Sequence, residues 1–127
     1  KINFITKKRI SNAKKLDMNL KTINEICLKQ RLTYLKEVFH LYEFRVKKKL
    51  RNKLLFYLRK NNIDAKIHYP IPMHLQPAAK EYGYKKGDFP ICEEISDTTI
   101  SIPVHEFINK KQMNFVIKKI KKFFNEN

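Results

Sequence analysis

Glycine, cysteine and tryptophan are scarce in this chain, and each shortage removes a class of function. Only two glycines occur, Gly83 and Gly87, and they lie four positions apart, so no glycine-rich loop able to cradle phosphate with its backbone is encoded elsewhere. The two cysteines, Cys27 and Cys92, are distant in sequence and lack C-x-x-C spacing. That argues against a disulfide framework and a zinc or redox thiol motif, and both side chains are expected to be small buried hydrophobes in a reduced, cytoplasmic protein. Tryptophan is absent altogether. No run of 18 apolar residues and no signal-peptide h-region appears, so no membrane partner is expected.

Acidic residues are also few: 12 against 28 basic ones, for a net charge of +16. A balance this basic attracts phosphate backbones and anionic surfaces. Its makeup points elsewhere. The basic residues are 23 Lys and 5 Arg, accompanied by 11 Asn and abundant Ile, the drift expected of an A+T-rich genome. Base-edge readers depend on the bidentate fork of Arg, and single-strand platforms need interleaved exposed aromatics. The clusters Lys47-Lys48-Lys49 and Lys118-Lys119-Ile120-Lys121-Lys122 read as solvated ends and faces of amphipathic elements. No nucleic-acid partner is expected, and a basic polyanion-binding module remains the alternative from a different class.

What the chain does have is a dense run, Ile67-His68-Tyr69-Pro70-Ile71-Pro72-Met73-His74-Leu75-Gln76-Pro77. Proline fixes its own φ and steers the residue before it into extended backbone, so Tyr69, Ile71 and Gln76 are held out of helical geometry. A stiff connection carrying His68, Tyr69, His74 and Gln76 suits the wall of a pre-organised site.

At 127 residues the chain fits one domain that buries about two-thirds of its unfolded surface. Ile10, Ala13, Leu16, Leu20 and Ile23 recur at steps of three and four, which predicts a helix over residues 6–26. Alternation predicts a strand over 38–46, with His40 among core or half-buried neighbours. A helix over 49–61 ends at Asn61-Asn62, and 63–69 reads as a second short strand. A short helix from Pro77 stops at Gly83, and Phe89-Pro90 opens another with Ile91 and Ile95 at helical spacing. Ser101-Ile102-Pro103-Val104 is extended. The last helix is capped by Asn109 and buries Met113, Val116, Ile117, Ile120 and Phe124. The expected fold class is α/β (α+β), helices covering a small antiparallel sheet. A start at Lys1 without methionine suggests a segment of something longer.

Several blocks then fall in a familiar order: Phe39-His40-Leu41-Tyr42; Ile63 through Pro77; Tyr82-Gly83-Tyr84-Lys85-Lys86-Gly87-Asp88-Phe89-Pro90; Glu94-Ile95-Ser96-Asp97; and Ser101-Ile102-Pro103-Val104-His105. From about residue 7 to the end, the sequence resembles the C-terminal part of the DegT/StrS sugar aminotransferases. It departs from them at Ala79, where the family often has Tyr, and at Asn62, where it often has Gly.

The resemblance implies the small C-terminal domain of a fold-type I pyridoxal-phosphate transferase, with residues 1–36 a connecting helix from a large domain and 37–127 the small domain. It implies a homodimer acting on nucleotide-linked keto-sugars for amino-sugar and surface polysaccharide biosynthesis, glutamate being the usual amino donor. The same family includes dehydratases and sensory relatives. Residues implied to touch substrate are His68 and Tyr69, with His74 and Gln76 closing the same wall, and His105 is left at the surface or an interface. The Schiff-base lysine and most of the phosphate cradle are implied to lie outside these residues, so the chain alone is expected to be catalytically silent.

Overall fold

The structure, a computed structural model, describes residues 1–126. Helix α1 (Ile2–Leu20) leads to a two-residue strand β1 (Ile26–Cys27), then β2 (Tyr42–Val46), α2 (Lys48–Lys60), two 3-10 turns (Met73–Leu75 and Pro77–Tyr82), α3 (Pro90–Thr98), β3 (Thr99–Ile102) and α4 (Lys110–Asn125). The strands form one antiparallel sheet in the order β1-β2-β3, with Ile26 opposite Val46 and Tyr42 opposite Ile102. This is the expected mixed class with a small antiparallel sheet.

Period-2 burial gives the sheet two unlike faces. Tyr42, Phe44 and Val46 are buried together with Ile26, Ile100 and Ile102, while Glu43 is exposed. The apolar face is covered by Ala13, Leu16 and Leu20 of α1, Leu54 and Leu58 of α2, and Met113, Val116, Ile117, Ile120 and Phe123 of α4. Burying a leucine or isoleucine side chain contributes roughly 1.5–3 kcal/mol, so this single layer holds the domain together. Helix α4 carries a full capping box: the Asn109 side chain accepts from the Gln112 N–H and the Gln112 side chain from the Asn109 N–H, both at 2.9 Å.

Helix α2 ends in a Schellman motif. Asn62 takes φ 57°, the Ile63 N–H donates to the Leu58 carbonyl at 3.0 Å, and the Asn62 N–H donates to Arg59 at 2.9 Å. Asn62 thereby serves where glycine is the commoner choice.

Several sequence expectations are corrected. Helix α1 stops at Leu20, not 26, because Ile26 is recruited to the sheet opposite Val46; a β-branched residue at helical spacing fits either state. Strand β2 begins at Tyr42, leaving His40 exposed outside it rather than among core neighbours. The run 63–69 keeps the alternation of a strand, with Ile63 and Ala65 buried and Asp64, Lys66 and His68 exposed, yet it makes only one bridge, Lys66 to Ser101. Pro70 and Pro72 cannot donate, so no ladder continues. Both cysteines are exposed, contrary to expectation: Cys27 is on the open face of an edge strand and Cys92 on an outward turn of α3. Phe123, not Phe124, takes the deepest aromatic place in α4.

Candidate functional site

The uncovered sheet face forms one wall of a cleft of about 700 Å³, closed by the segment 28–41 and by Ile91 and Ile95 of α3. Its floor is Glu43 and Arg45, and Arg45 donates to Glu94 at 3.2 Å and to the Cys27 sulfur at 3.5 Å. The apolar spacing of α3 does not serve the core. Ile91 is 72% exposed and Ile95 45% exposed, and both face this cleft.

Segment 28–41 has no regular structure and is held by Arg31. Its guanidinium grips Asp17 through two bonds of 3.2 and 3.1 Å and Glu37 through one of 3.0 Å, while stacking 4.9 Å from the Phe39 ring centroid. That stacking braces Phe39 in a left-handed conformation, φ 52°, which costs an aromatic residue about 1–2 kcal/mol. Below them the buried Tyr42 hydroxyl donates to Asp17 at 2.7 Å. Burial, and then the Asp17 carboxylate, push the Tyr42 phenol far up, so it remains a donor throughout the ordinary pH range.

The proline run is hung on one turn of α3. Ser96, buried, donates its hydroxyl to the Tyr69 carbonyl at 2.7 Å, and one turn earlier Glu93 meets Nε2 of His74 at 3.1 Å. Phe89 packs on the His74 ring with centroids 4.8 Å apart. The Gly87 N–H, 2.6 Å from Glu93, holds that carboxyl below the usual carboxylate range, aided by His74 and outweighing the opposing effect of burial.

These anchors separate the four residues singled out from sequence. His68 is exposed and Tyr69 is 69% exposed, so both rings project from the surface. His74, 9% exposed, faces inward and braces the run from behind. Gln76 is half-buried and donates to the Ile71 carbonyl at 3.3 Å, tying the run to itself. A polar i, i+3 pair facing a proline run, here Glu93 and Ser96, is the signal that locates this brace in sequence.

A second, smaller cleft of about 170 Å³ lies where β3 runs out past Pro103. His40, Asp64, Lys66, His68, Ser101 and His105 line it. Three of the chain's four histidines, treated separately in sequence, thus share one recess.

Among the described residues, no group of three or more His, Cys, Asp and Glu side chains could hold a metal ion, and no helix is long and apolar enough to cross a membrane. None of the 23 lysines is buried.

A three-stranded antiparallel sheet, helices on one face and a braced polar run beside the other, is the architecture of part of a sugar aminotransferase. The Streptomyces venezuelae enzyme DesV, solved with a ketimine intermediate, superposes with a TM-score of 0.88 at 25% identity over 94% of this chain and 32% of its own. The chain belongs to the DegT/DnrJ/EryC1/StrS aminotransferase family, whose model matches residues 1–121. Among curated relatives, a pleiotropic regulatory protein of Geobacillus stearothermophilus is 34% identical over 68% of this chain and 23% of its own length. The dTDP-3-amino-3,6-dideoxy-alpha-D-galactopyranose transaminase of Aneurinibacillus thermoaerophilus is likewise 34% identical over 68% of this chain and 23% of its own. The chain therefore spans about a quarter of the length of the curated relatives it matches.

Proposed function

We propose that this chain is the C-terminal part of a pyridoxal-phosphate-dependent aminotransferase that acts on nucleotide-linked keto-sugars in the cytoplasm, with glutamate as amino donor, for amino-sugar and surface polysaccharide biosynthesis. In this reading residues 1–36, expected as a connecting helix from a large domain, also contribute α1 and β1 to the core of the small domain of 37–127, and the working enzyme is a homodimer. The observation that carries it is the outward presentation of His68 and Tyr69 from a run braced through its backbone by Ser96 and through His74 by Glu93. An imidazole and a phenol offer hydrogen bonds to sugar hydroxyls and phosphate and flat apolar faces to a ring. His74 and Gln76 contribute to the same wall by fixing its shape.

The residues present do not fit the cofactor on their own. A lysine that forms a Schiff base must be desolvated and aimed, and every lysine here is exposed or half-buried. The two glycines, Gly83 and Gly87, take positive φ in successive turns, and the Gly87 N–H is already bonded to Glu93. Cofactor chemistry, which supplies the electron sink for moving the amino group, therefore belongs in this reading to residues outside the chain. The role left to this chain is to bind and orient substrate.

The test compares the 127-residue chain with a protein that continues it into a large domain. The longer protein is expected to retain one equivalent of pyridoxal phosphate after dialysis and to transfer the amino group of glutamate to a nucleotide-linked keto-sugar. Tyr69→Ala in it should raise KM more than it lowers kcat. Retention of stoichiometric cofactor by the short chain, or unchanged KM in the variant, would overturn the reading.

A further inference from the structure

Charge is distributed unevenly over the fold. Helices α1, α2 and α4, which together cover the apolar face of the sheet, carry 17 of the chain's 28 basic residues and a single acidic one, Asp17, which Arg31 already holds. Helix α3 borders the open cleft instead and carries Glu93, Glu94 and Asp97 with no basic residue. The basic layer is continuous. Lys15 of α1 donates to Asn114 at 2.6 Å and Lys121 of α4 to Asn19 at 3.1 Å, so these two helices run parallel, while Tyr57 of α2 packs on Phe123 of α4 with centroids 5.4 Å apart. Asn12 of α1 adds a further tie, donating to the carbonyls of Val104 and His105 ahead of α4 at 3.4 and 3.0 Å.

The arginines of this layer are occupied by the fold. Arg9 pairs with Glu106 at 2.9 Å and donates to the Phe39 carbonyl at 3.5 Å, Arg51 donates to the Ser96 carbonyl at 3.4 Å, and Arg59 to the Ala65 carbonyl at 2.9 Å. The uncompensated charge is lysine. Among the described residues, only Lys48 and Lys122 of the three helices meet a carboxylate, that of Asp97 and Glu126 respectively. In the groove of about 600 Å³ between α1 and α4, Lys15 and Lys121 are held by neutral amides, which leave each ammonium its charge and two of its three donors. Each helix also exposes one phenylalanine on the side opposite its buried stripe: Phe4, Phe56 and Phe115. Lys8 lies 5.9 Å from the Phe4 ring centroid and Lys119 5.3 Å from that of Phe115.

We propose that this helical face docks on the surface of an anionic phospholipid bilayer. The inference does not depend on the function proposed above. A broad layer of point charges on flexible stems suits fluid headgroups, which present no fixed pattern for an arginine fork to read. Exposed phenylalanines set among lysines suit the boundary between headgroup and acyl chain, the ring entering it while the ammonium stays with the phosphates. Such peripheral docking needs no spanning helix. The acidic α3 is repelled by the same lipid, so the chain meets the surface in one orientation. A nucleic acid is the competing polyanion. It would stack successive bases on neighbouring rings, and here the three exposed phenylalanines stand on three different helices.

The test measures co-sedimentation of the intact 127-residue chain with mixed phosphatidylglycerol–phosphatidylcholine vesicles and with vesicles of phosphatidylcholine alone. Binding is expected only to the mixed vesicles. Raising salt from about 0.1 to about 1 M, which cuts the screening length from about 10 to about 3 Å, should weaken it at least tenfold. Each lysine near such a surface contributes roughly a factor of five, so Lys111→Gln with Lys118→Gln should weaken binding at least tenfold. Lys80→Gln with Lys85→Gln, outside the helical layer, should change it less than twofold. Phe56→Ser and Phe115→Ser should each weaken it at least threefold. All six positions are exposed, so urea midpoints should stay at the wild-type value. Equal loss from the two lysine pairs would make net charge the cause and overturn the proposal. So would failure to bind the mixed vesicles, equal binding to phosphatidylcholine alone, binding untouched by both phenylalanine changes, or tighter binding to a single-stranded oligonucleotide than to mixed vesicles at matched phosphate. None of these outcomes bears on the cofactor and KM tests of the longer protein.

Discussion

Removing the Ser96 hydroxyl should loosen the wall of the site without loosening the core. The side chain is buried and its single hydrogen bond goes to the Tyr69 carbonyl at 2.7 Å, across 27 residues of sequence. A neutral hydrogen bond of this kind contributes about 1 kcal/mol net, and leaving the carbonyl partly unpaired raises the loss toward 1.5 kcal/mol. Because 1.4 kcal/mol is a factor of ten in an equilibrium constant, Ser96→Ala should raise the population of the detached run five- to tenfold. Two amides inside the run report this directly: Leu75 N–H, bonded to the Pro72 carbonyl at 2.9 Å, and Gln76 N–H, bonded to Met73 at 3.2 Å. Hydrogen exchange at those amides should accelerate by that factor, while the β2 amides change much less, since local opening does not pass through global unfolding. Adding Glu93→Gln should be non-additive, as both side chains restrain one segment. Equal acceleration at Leu75 and at Phe44, or none at Leu75, would refute the idea that α3 restrains the run locally.

The same anchor predicts a pH effect. The Glu93 carboxyl titrates lower in the folded chain than in the unfolded one, chiefly through the Gly87 N–H, so its stabilisation is complete above the ordinary glutamate value of about 4.3 and is lost as pH falls through the lowered folded value. The stability advantage of wild type over Glu93→Gln, read from urea midpoints, should therefore shrink between pH 5 and pH 3. Tyr42→Phe should cost roughly 1.5–3 kcal/mol because its hydroxyl serves a charged acceptor, and a double-mutant cycle with Asp17→Asn in urea unfolding should recover most of that as coupling. Asn109→Ala should cost about 1 kcal/mol by the same measurement, with Gln112→Ala adding little on top, since the capping box is already broken.

The three long helices were legible because a 3.6-residue period and a buried stripe are one and the same fact, and Ala13, Leu16 and Leu20, or Met113, Val116 and Ile117, carry both. Helix α3 shows where this fails. Ile91 and Ile95 have the right spacing, but they face an open cleft, and periodicity gives a face without saying what meets it. Strand β1 is two residues long, too short for any alternation to register. The cysteines were misplaced because a small apolar side chain suits a core on average, whereas Cys27 is at an edge whose other face is the covered one. Within the site, the stiffness of the proline run was evident from its prolines, but not the direction of each ring. That depends on Glu93 and Ser96, which turn His74 inward and leave Tyr69 outside. The convergence of His40 and His105 follows from the β2–β3 register and from Arg9 and Asn12 of α1, which only the assembled chain sets.

The solitary rung between Lys66 and Ser101 also bears on how this molecule behaves in company. Strand β3 would otherwise offer an outer row of donors and acceptors to any passing chain, the usual seed of sheet-to-sheet polymerisation. One rung occupies the middle of that row, and Pro70 and Pro72 just beyond make the approaching segment unable to lengthen the ladder. The prolines that stiffen this run therefore double as a guard against fibril growth, and replacing them should favour self-association.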